Sequence, residues 1–327
     1  MIIRPVTPVA VEPLTVAVSR PDAMPAASMV FIVGVPRSGT SRLYLALQSH
    51  ERFTPTQSPD RFDLTESRVF LDPASILSTR GKAWDYLLHD AEVHASLLRA
   101  LPRGWSGRLP ADRLFRLVTE RSRWAQALAW RLCRNGAALQ AYFLHAARAR
   151  GVQRIVEKTP DHIHRLPLML AAFPDARILC MIRHPLDVYS SYRRRLDVAR
   201  QSEPVDSPTI RWLQSVDPQT FCRGYRATVA ETCRYASRLL IVRYEDMSAA
   251  PQETFARVCT FLGEPFDPGC VTQHTPGLDT WRQDPLLSGP ITENAKRWSD
   301  YLEPAIACHI EDRLEDTMRR IGYARYT

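Results

Sequence analysis

Three short clusters in this 327-residue chain combine fixed positive charge with hydroxyl or turn residues, and each follows an apolar run. In the first, Val30 to Val35 gives way to Pro36-Arg37-Ser38-Gly39-Thr40-Ser41. Where a glycine turn opens a helix, free backbone N–H groups converge and the helix dipole favours negative charge. Arg37 adds a planar donor fork, and Ser38, Thr40 and Ser41 add hydroxyls, so the cluster is suited to a phosphate-like anion. In the second, Glu157-Lys158-Thr159-Pro160 ends an apolar stretch. A lysine at the carboxyl end of a buried parallel strand can reach a ligand crevice, whereas inside the strand it would be buried and unpaired. In the third, Arg183-His184-Pro185-Leu186-Asp187-Val188-Tyr189-Ser190-Ser191, an arginine fork at a strand end precedes a helix from which Ser191 can offer a hydroxyl to the same anion. Each cluster also has a plainer reading: a βα turn with a solvent-facing arginine, a lysine paired with Glu157 or Asp161, or an arginine in an interdomain ion pair.

The first loop is neither a Walker A loop nor a dinucleotide turn, because Gly34 and Gly39 are followed by Thr40 where the Walker lysine would stand. Candidate proton acceptors lie in two places. Asp60, Asp63 and Glu66 belong to a polar, proline-punctuated stretch from Glu51 to Arg80 that could return over the strand ends, and His162 and His164 follow Lys158. A further apolar run, Leu239 to Val242, leads into Arg243-Tyr244-Glu245-Asp246, and GPITENAKRW brings Lys296 and Arg297 near the end.

These clusters need strands to carry them. Val30–Val35, Val152–Glu157, Arg177–Ile182 and Leu239–Val242 read as short buried strands. Between the second and third, Ile163, Leu166 and Leu170 recur at helical spacing until Phe173-Pro174-Asp175 stops the helix. Strand, helix and strand at that length form a parallel, right-handed βαβ unit. Helices are also predicted from Asp187, over Phe221–Arg238, from Pro251 to a Gly263 cap, and within Trp298–Tyr323, with 196–220 and 264–290 as loops. Ala83–Leu101 and Leu114–Arg150 read as helices, so 51–150 is taken as a helical and loop insertion over the main sheet. The fold class is α/β: a mostly parallel central sheet flanked by helices, in one domain over 29–327, preceded by a proline-rich arm, 1–28.

The composition is that of a globular protein, 45% hydrophobic and 24% charged. A net charge of +8 is spread along the chain without a zinc finger, an aromatic RNA-binding pattern or a lysine-rich arm, so nucleic acid is not the expected partner. Seven scattered cysteines without a CxxC pair read as free thiols, and with neither a signal-type apolar core nor a membrane span the expected location is cytoplasmic.

The VGVPRSGTS loop resembles the 5′-phosphosulfate-binding loop of sulfotransferases that use 3′-phosphoadenosine 5′-phosphosulfate (PAPS). EKTP resembles the lysine segment of the carbohydrate enzymes, RHPLDVYSS the 3′-phosphate motif, and RYEDM the family's YEDL segment. The resemblance implies sulfuryl transfer from PAPS to a hydroxyl or amine of a small-molecule acceptor, such as a carbohydrate or secondary metabolite, with release of adenosine 3′,5′-bisphosphate and no metal requirement. It implies donor binding by Arg37, Ser38, Gly39, Thr40, Ser41, Arg183, Ser191 and Tyr244, with Lys296 and Arg297 closing over the 3′-phosphate. Arg37 and Lys158 would neutralise charge on the transferring group. Two departures matter: Arg37 and Arg42 stand where cytosolic members carry lysine and tryptophan. The base follows no single branch. His162 matches the cytosolic pattern and is preferred, with Asp60 or Glu66 standing nearer the glutamate of the carbohydrate and tyrosylprotein enzymes. The alternatives are an ATP-dependent small-molecule kinase and a non-catalytic nucleotide- or polyanion-binding protein.

Overall fold

The computed structural model describes residues 29–54, 66–71, 143, 147, 151–152, 154–272, 291 and 298–327. Four strands, β1 (Met29–Gly34), β2 (Ile155–Lys158), β3 (Arg177–Ile182) and β4 (Leu239–Arg243), form one sheet in the order β2-β1-β3-β4. Every neighbouring pair is parallel, so all four carboxyl ends lie along one edge. β1 is buried on both faces, which is why it reads as an unbroken apolar run rather than an alternating one. Phe31 and Val33 enter one apolar layer with Ile178, Cys180 and Ile182, while Val30 and Ile32 enter the other with Leu179 and Met181.

Helices cover both faces. α1 (Thr40–Gln48) follows β1, and α2 (Leu166–Ala172) links β2 to β3. α3 (Pro185–Ser202), α4 (Pro208–Ser215) and α5 (Pro218–Arg234) connect β3 to β4. α6 (Tyr244–Ala249), α7 (Pro251–Leu262), the short α8 (Gly269–Thr272) and α9 (Pro304–Arg320) complete the described elements. Leu43, Leu47, Phe255, Val258 and Leu262 of α1 and α7 belong to one layer. Leu166, Leu196, Tyr225, Ile310 and Leu314 of α2, α3, α5 and α9 belong to the other. The expected Gly263 cap is present, in the left-handed region at φ 74°.

Two expectations change. The single helix after β2 is a 3-10 segment, Pro160–Arg165, before α2, because Pro160 and Pro167 each remove a backbone donor and divide the stretch. The 196–220 loop is instead the end of α3 followed by α4, which Ser207 caps by accepting from the Ile210 N–H. The helices expected over Ala83–Leu101 and Leu114–Arg150 lie outside the described residues, except that Phe143 and Ala147 are helical and buried. The 1–28 arm also lies outside them. All six cysteines among the described residues are free thiols.

Candidate active site

The turn after β1 depends on Gly34. At φ 132° its Cα faces the neighbouring strand so closely that a Cβ would lie 2.1 Å from the Met181 carbonyl oxygen. The chain bends away through Val35, whose N–H donates to Met181 O at 3.1 Å. The Ser38 hydroxyl lies 2.6 Å from Val35 O and 3.1 Å from Met181 O. Its one hydrogen is therefore engaged in holding the loop, not directed outward. Gly39 at φ 98° opens α1 without any side-chain cap, leaving the helix N-terminus to its backbone donors. Thr40 is buried and Ser41 half-buried at that first turn. Arg37 takes φ 70°, uncommon for a side-chain-bearing residue, and its Nε donates to Ser191 Oγ at 3.3 Å across a sequence separation of 154.

Arg183 stands one residue beyond β3, and its carbonyl accepts from the Tyr225 hydroxyl at 2.7 Å. The guanidinium lies 4.1 Å from the centre of the Tyr244 ring, and its Nε is buried with no hydrogen-bond partner among the described residues. Tyr244 also packs on the first loop, since a Cβ on Gly39 would fall 2.5 Å from its Cδ2. One tyrosine thus touches both the first loop and the Arg183 guanidinium. Asp187, at the start of α3, lies near Arg183; burial pushes its carboxyl up from the usual range more than the Arg183 charge lowers it. Glu245 braces this corner rather than its own helix: it accepts from the His184 N–H at 2.8 Å and from the Tyr323 hydroxyl at 2.6 Å.

At the end of β2, the almost fully buried Lys158 places Nζ 3.1 Å from Glu66 Oε1, and the Glu66 side chain is 41% exposed. Arg68 lies on its other oxygen at 3.7 Å. The structure therefore brings Lys158 and Glu66 together, with the carboxylate open to solvent. It turns His162 away. That imidazole is fully buried, with Nδ1 3.1 Å from Glu157 Oε2 and Nε2 accepting from the Phe70 N–H at 3.4 Å. His164 is exposed, 3.4 Å from Thr228 Oγ1. Asp60, Lys296 and Arg297 lie outside the described residues. Among those residues, no three His, Cys, Asp or Glu side chains are grouped to hold a metal ion, and no helix is long and apolar enough to cross a membrane.

Loop, lysine and arginine fork, each at the carboxyl end of a different parallel strand, coincide with a family model described as "Sulfotransferase family" that matches residues 29–268. The chain belongs to the sulfotransferase family.

Its sequence is 22% identical over 259 residues to the nodulation protein NoeE of Sinorhizobium fredii, covering 76% of this chain and 53% of that one. It is 25% identical over 250 residues to Stf3 of Mycobacterium tuberculosis, an omega-hydroxy-beta-dihydromenaquinone-9 sulfotransferase, covering 72% and 62%. The chain thus spans little more than half the length of these curated relatives. Among solved structures, the sulfotransferase domain from the curacin biosynthetic pathway shares the fold at a TM-score of 0.54 and 17% identity, over 91% of this chain and 98% of that one.

Several residues of this candidate site were not singled out from sequence. Ser67 donates to Glu157 at 2.7 Å, and Arg68 has φ 55°. Tyr192, on α3 near Arg37, has its phenol pushed up to about 12 by burial. Ser67 and Arg68 carry no signal of their own, because only the fold places them beside Glu157 and Lys158.

Proposed function

We propose that this sulfotransferase moves a sulfuryl group from PAPS to a hydroxyl or amine of a small-molecule acceptor, releasing adenosine 3′,5′-bisphosphate. The observation that carries the reading is the 3.3 Å contact between Arg37 of the first loop and Ser191 of the third cluster. Two anion cradles distant in sequence meet at one edge of the sheet, as a donor with phosphates at both ends of a nucleoside requires. The residues suit such a donor: the first turn of α1 is uncapped, and Arg183 keeps a buried N–H with no partner.

On this reading, Arg37 and the loop amides take the phosphosulfate end, while Arg183 and Ser191 take the 3′-phosphate. Lys158 neutralises charge developing on the oxygen that leaves. The acceptor oxygen or nitrogen forms its bond to sulfur as the bond from sulfur to the 5′-phosphate oxygen breaks. The electron pair of that bond leaves with the bisphosphate, and the acceptor's proton passes to Glu66. Glu66 is favoured over His162 because its carboxylate is exposed beside Lys158, whereas both nitrogens of His162 are already engaged in the interior.

The test is transfer from PAPS to a panel of carbohydrates, hydroxylated isoprenoid quinones and hydroxylated secondary metabolites, read as a mass increase. In parallel, adenosine 3′,5′-bisphosphate should raise the melting temperature while ATP with magnesium should not. Stabilisation by ATP alone would favour a kinase. Stabilisation by the bisphosphate in a chain that transfers nothing to any acceptor would favour a binding protein.

A further inference from the structure

Glu157 is a fully buried carboxylate at the strand end, and three side chains supply it with hydrogen. Ser67 Oγ donates to Oε1 at 2.7 Å, Thr159 Oγ1 to Oε1 at 2.6 Å, and His162 Nδ1 to Oε2 at 3.1 Å. A buried carboxylate is tolerated only when its oxygens are satisfied in this way. The same partners hold the 66–71 segment. Ser67 bonds the carboxylate directly, the Arg68 N–H reaches Thr159 Oγ1 at 3.3 Å, and the Phe70 N–H reaches His162 Nε2 at 3.4 Å. The Phe70 ring stands edge-on to the imidazole at 5.0 Å. All three routes from the segment converge on Glu157, and Glu66 is bonded in the chain directly to the first of these anchors, Ser67.

We propose that Glu157, Thr159 and His162 form a positioning assembly that sets the Glu66 carboxylate against Lys158, an inference that rests on Glu66 being the proton acceptor. The assembly fixes the His162 tautomer, because Nε2 accepts from a backbone N–H and the ring hydrogen therefore sits on Nδ1, toward Glu157. It also maintains Arg68 in its left-handed conformation, a local strain that surrounding contacts must hold. β2 thus carries the lysine and, through its adjacent residue, the anchor of the carboxylate that faces the lysine. His162 and Glu157 are positioning residues, acting through Glu66.

Three His162 variants, none with a titratable side chain, separate positioning from proton transfer. Asn keeps a donor near the Nδ1 position, Gln keeps an acceptor near Nε2, and Ala keeps neither. His162→Ala is expected to lower kcat by roughly 10²-fold, the size of effect that a misplacement of about 1 Å produces. The donor KM and the affinity for adenosine 3′,5′-bisphosphate should stay within about twofold, since the donor cradles lie on other elements. His162→Asn and His162→Gln should each recover at least about tenfold of that loss, and added imidazole should restore nothing to His162→Ala. Equal collapse in all three variants with rescue by imidazole, or full activity in His162→Ala, would overturn the proposal. If His162→Ala does not fold, Ser67→Ala takes its place, with the same fall in kcat at unchanged donor KM expected and no fall overturning the proposal. The underlying reading is checked separately: Glu66→Gln should be inactive, and formate should restore activity to Glu66→Gly. Full activity in Glu66→Gln would remove Glu66 as the base whatever the His162 variants show.

Discussion

Replacing Arg183 with alanine separates the two ends of the donor. Arg183 has one buried N–H without a partner, and its guanidinium already rests on Tyr244 at 4.1 Å before any ligand arrives. The two interactions report on different measurements. The ring contact exists in the free protein, so its loss falls on stability: roughly 0.5–1 kcal/mol, or a fall of about 1–3 °C in Tm. The donor that is unpaired in the free protein is available to a bound anion, so its loss falls on binding. A hydrogen bond to a charged group is worth about 1.5–3 kcal/mol, so affinity for adenosine 3′,5′-bisphosphate should drop roughly 10- to 150-fold. Adenosine 5′-phosphosulfate lacks the 3′-phosphate, and its affinity should change by less than about threefold on the same arithmetic. Calorimetric titration of both ligands into wild type and Arg183→Ala, at one salt concentration, reads the difference. Equal losses for the two ligands would show that Arg183 does not hold the 3′-phosphate and that the third cluster serves another end of the donor.

Gly39→Ala should weaken binding of the bisphosphate by more than about tenfold and lower Tm, because the new Cβ would meet Tyr244 Cδ2 at 2.5 Å on a backbone at φ 98°; unchanged affinity would show that Tyr244 does not support the Arg183 cradle. A pH effect follows from Glu157: burial alone would raise its pKa, but the contact with His162 and the hydrogen bonds from His162, Thr159 and Ser67 hold it below the ordinary value of 4.5. Its contribution to stability is therefore complete above about pH 4.5 and is lost as pH falls below that value toward the lowered folded-state pKa. Urea melts should show wild type losing stability through this acid range more steeply than Glu157→Gln, and parallel slopes would mean that Glu157 is not ionised in the fold.

What could be read from the sequence follows from what is local. β1 and the five residues of β3 after Arg177 lie between two apolar layers, so none of them need be polar toward solvent, and each appears as an unbroken run. The anion clusters are legible for a related reason: a strand end, a glycine or proline and a charged fork are contiguous in the chain. α4 was not, because only Ile210 and Leu213 of its eight residues are buried, too few to show a period. His162 shows the limit more sharply. Its type and distance from Lys158 are the same whether the ring faces the crevice or the core. What decides is the 3-10 turn over Pro160–Arg165, together with a Phe70 N–H and a Ser67 hydroxyl that lie some ninety residues earlier. The pairing of Glu66 with Lys158 is likewise a contact between distant segments, and spacing alone could not rank Glu66 above Asp60.

The place of β1 in the sheet has a consequence for how the chain is made. Among the described strands it is the earliest in the chain, yet both of its edges are covered by later ones, β2 and β3. β2, the earlier of these two partners, emerges on the order of 120 residues afterwards, so at 5–20 residues per second MVFIVG waits roughly 6–25 s for either of them. Six uncharged residues without proline, four of them (Val30, Phe31, Ile32 and Val33) of high strand propensity, are the composition that pairs with copies of itself. What shields that one segment on the ribosome thus bears on how much of the chain reaches the finished fold, and a chaperone that binds apolar segments would act on that interval directly.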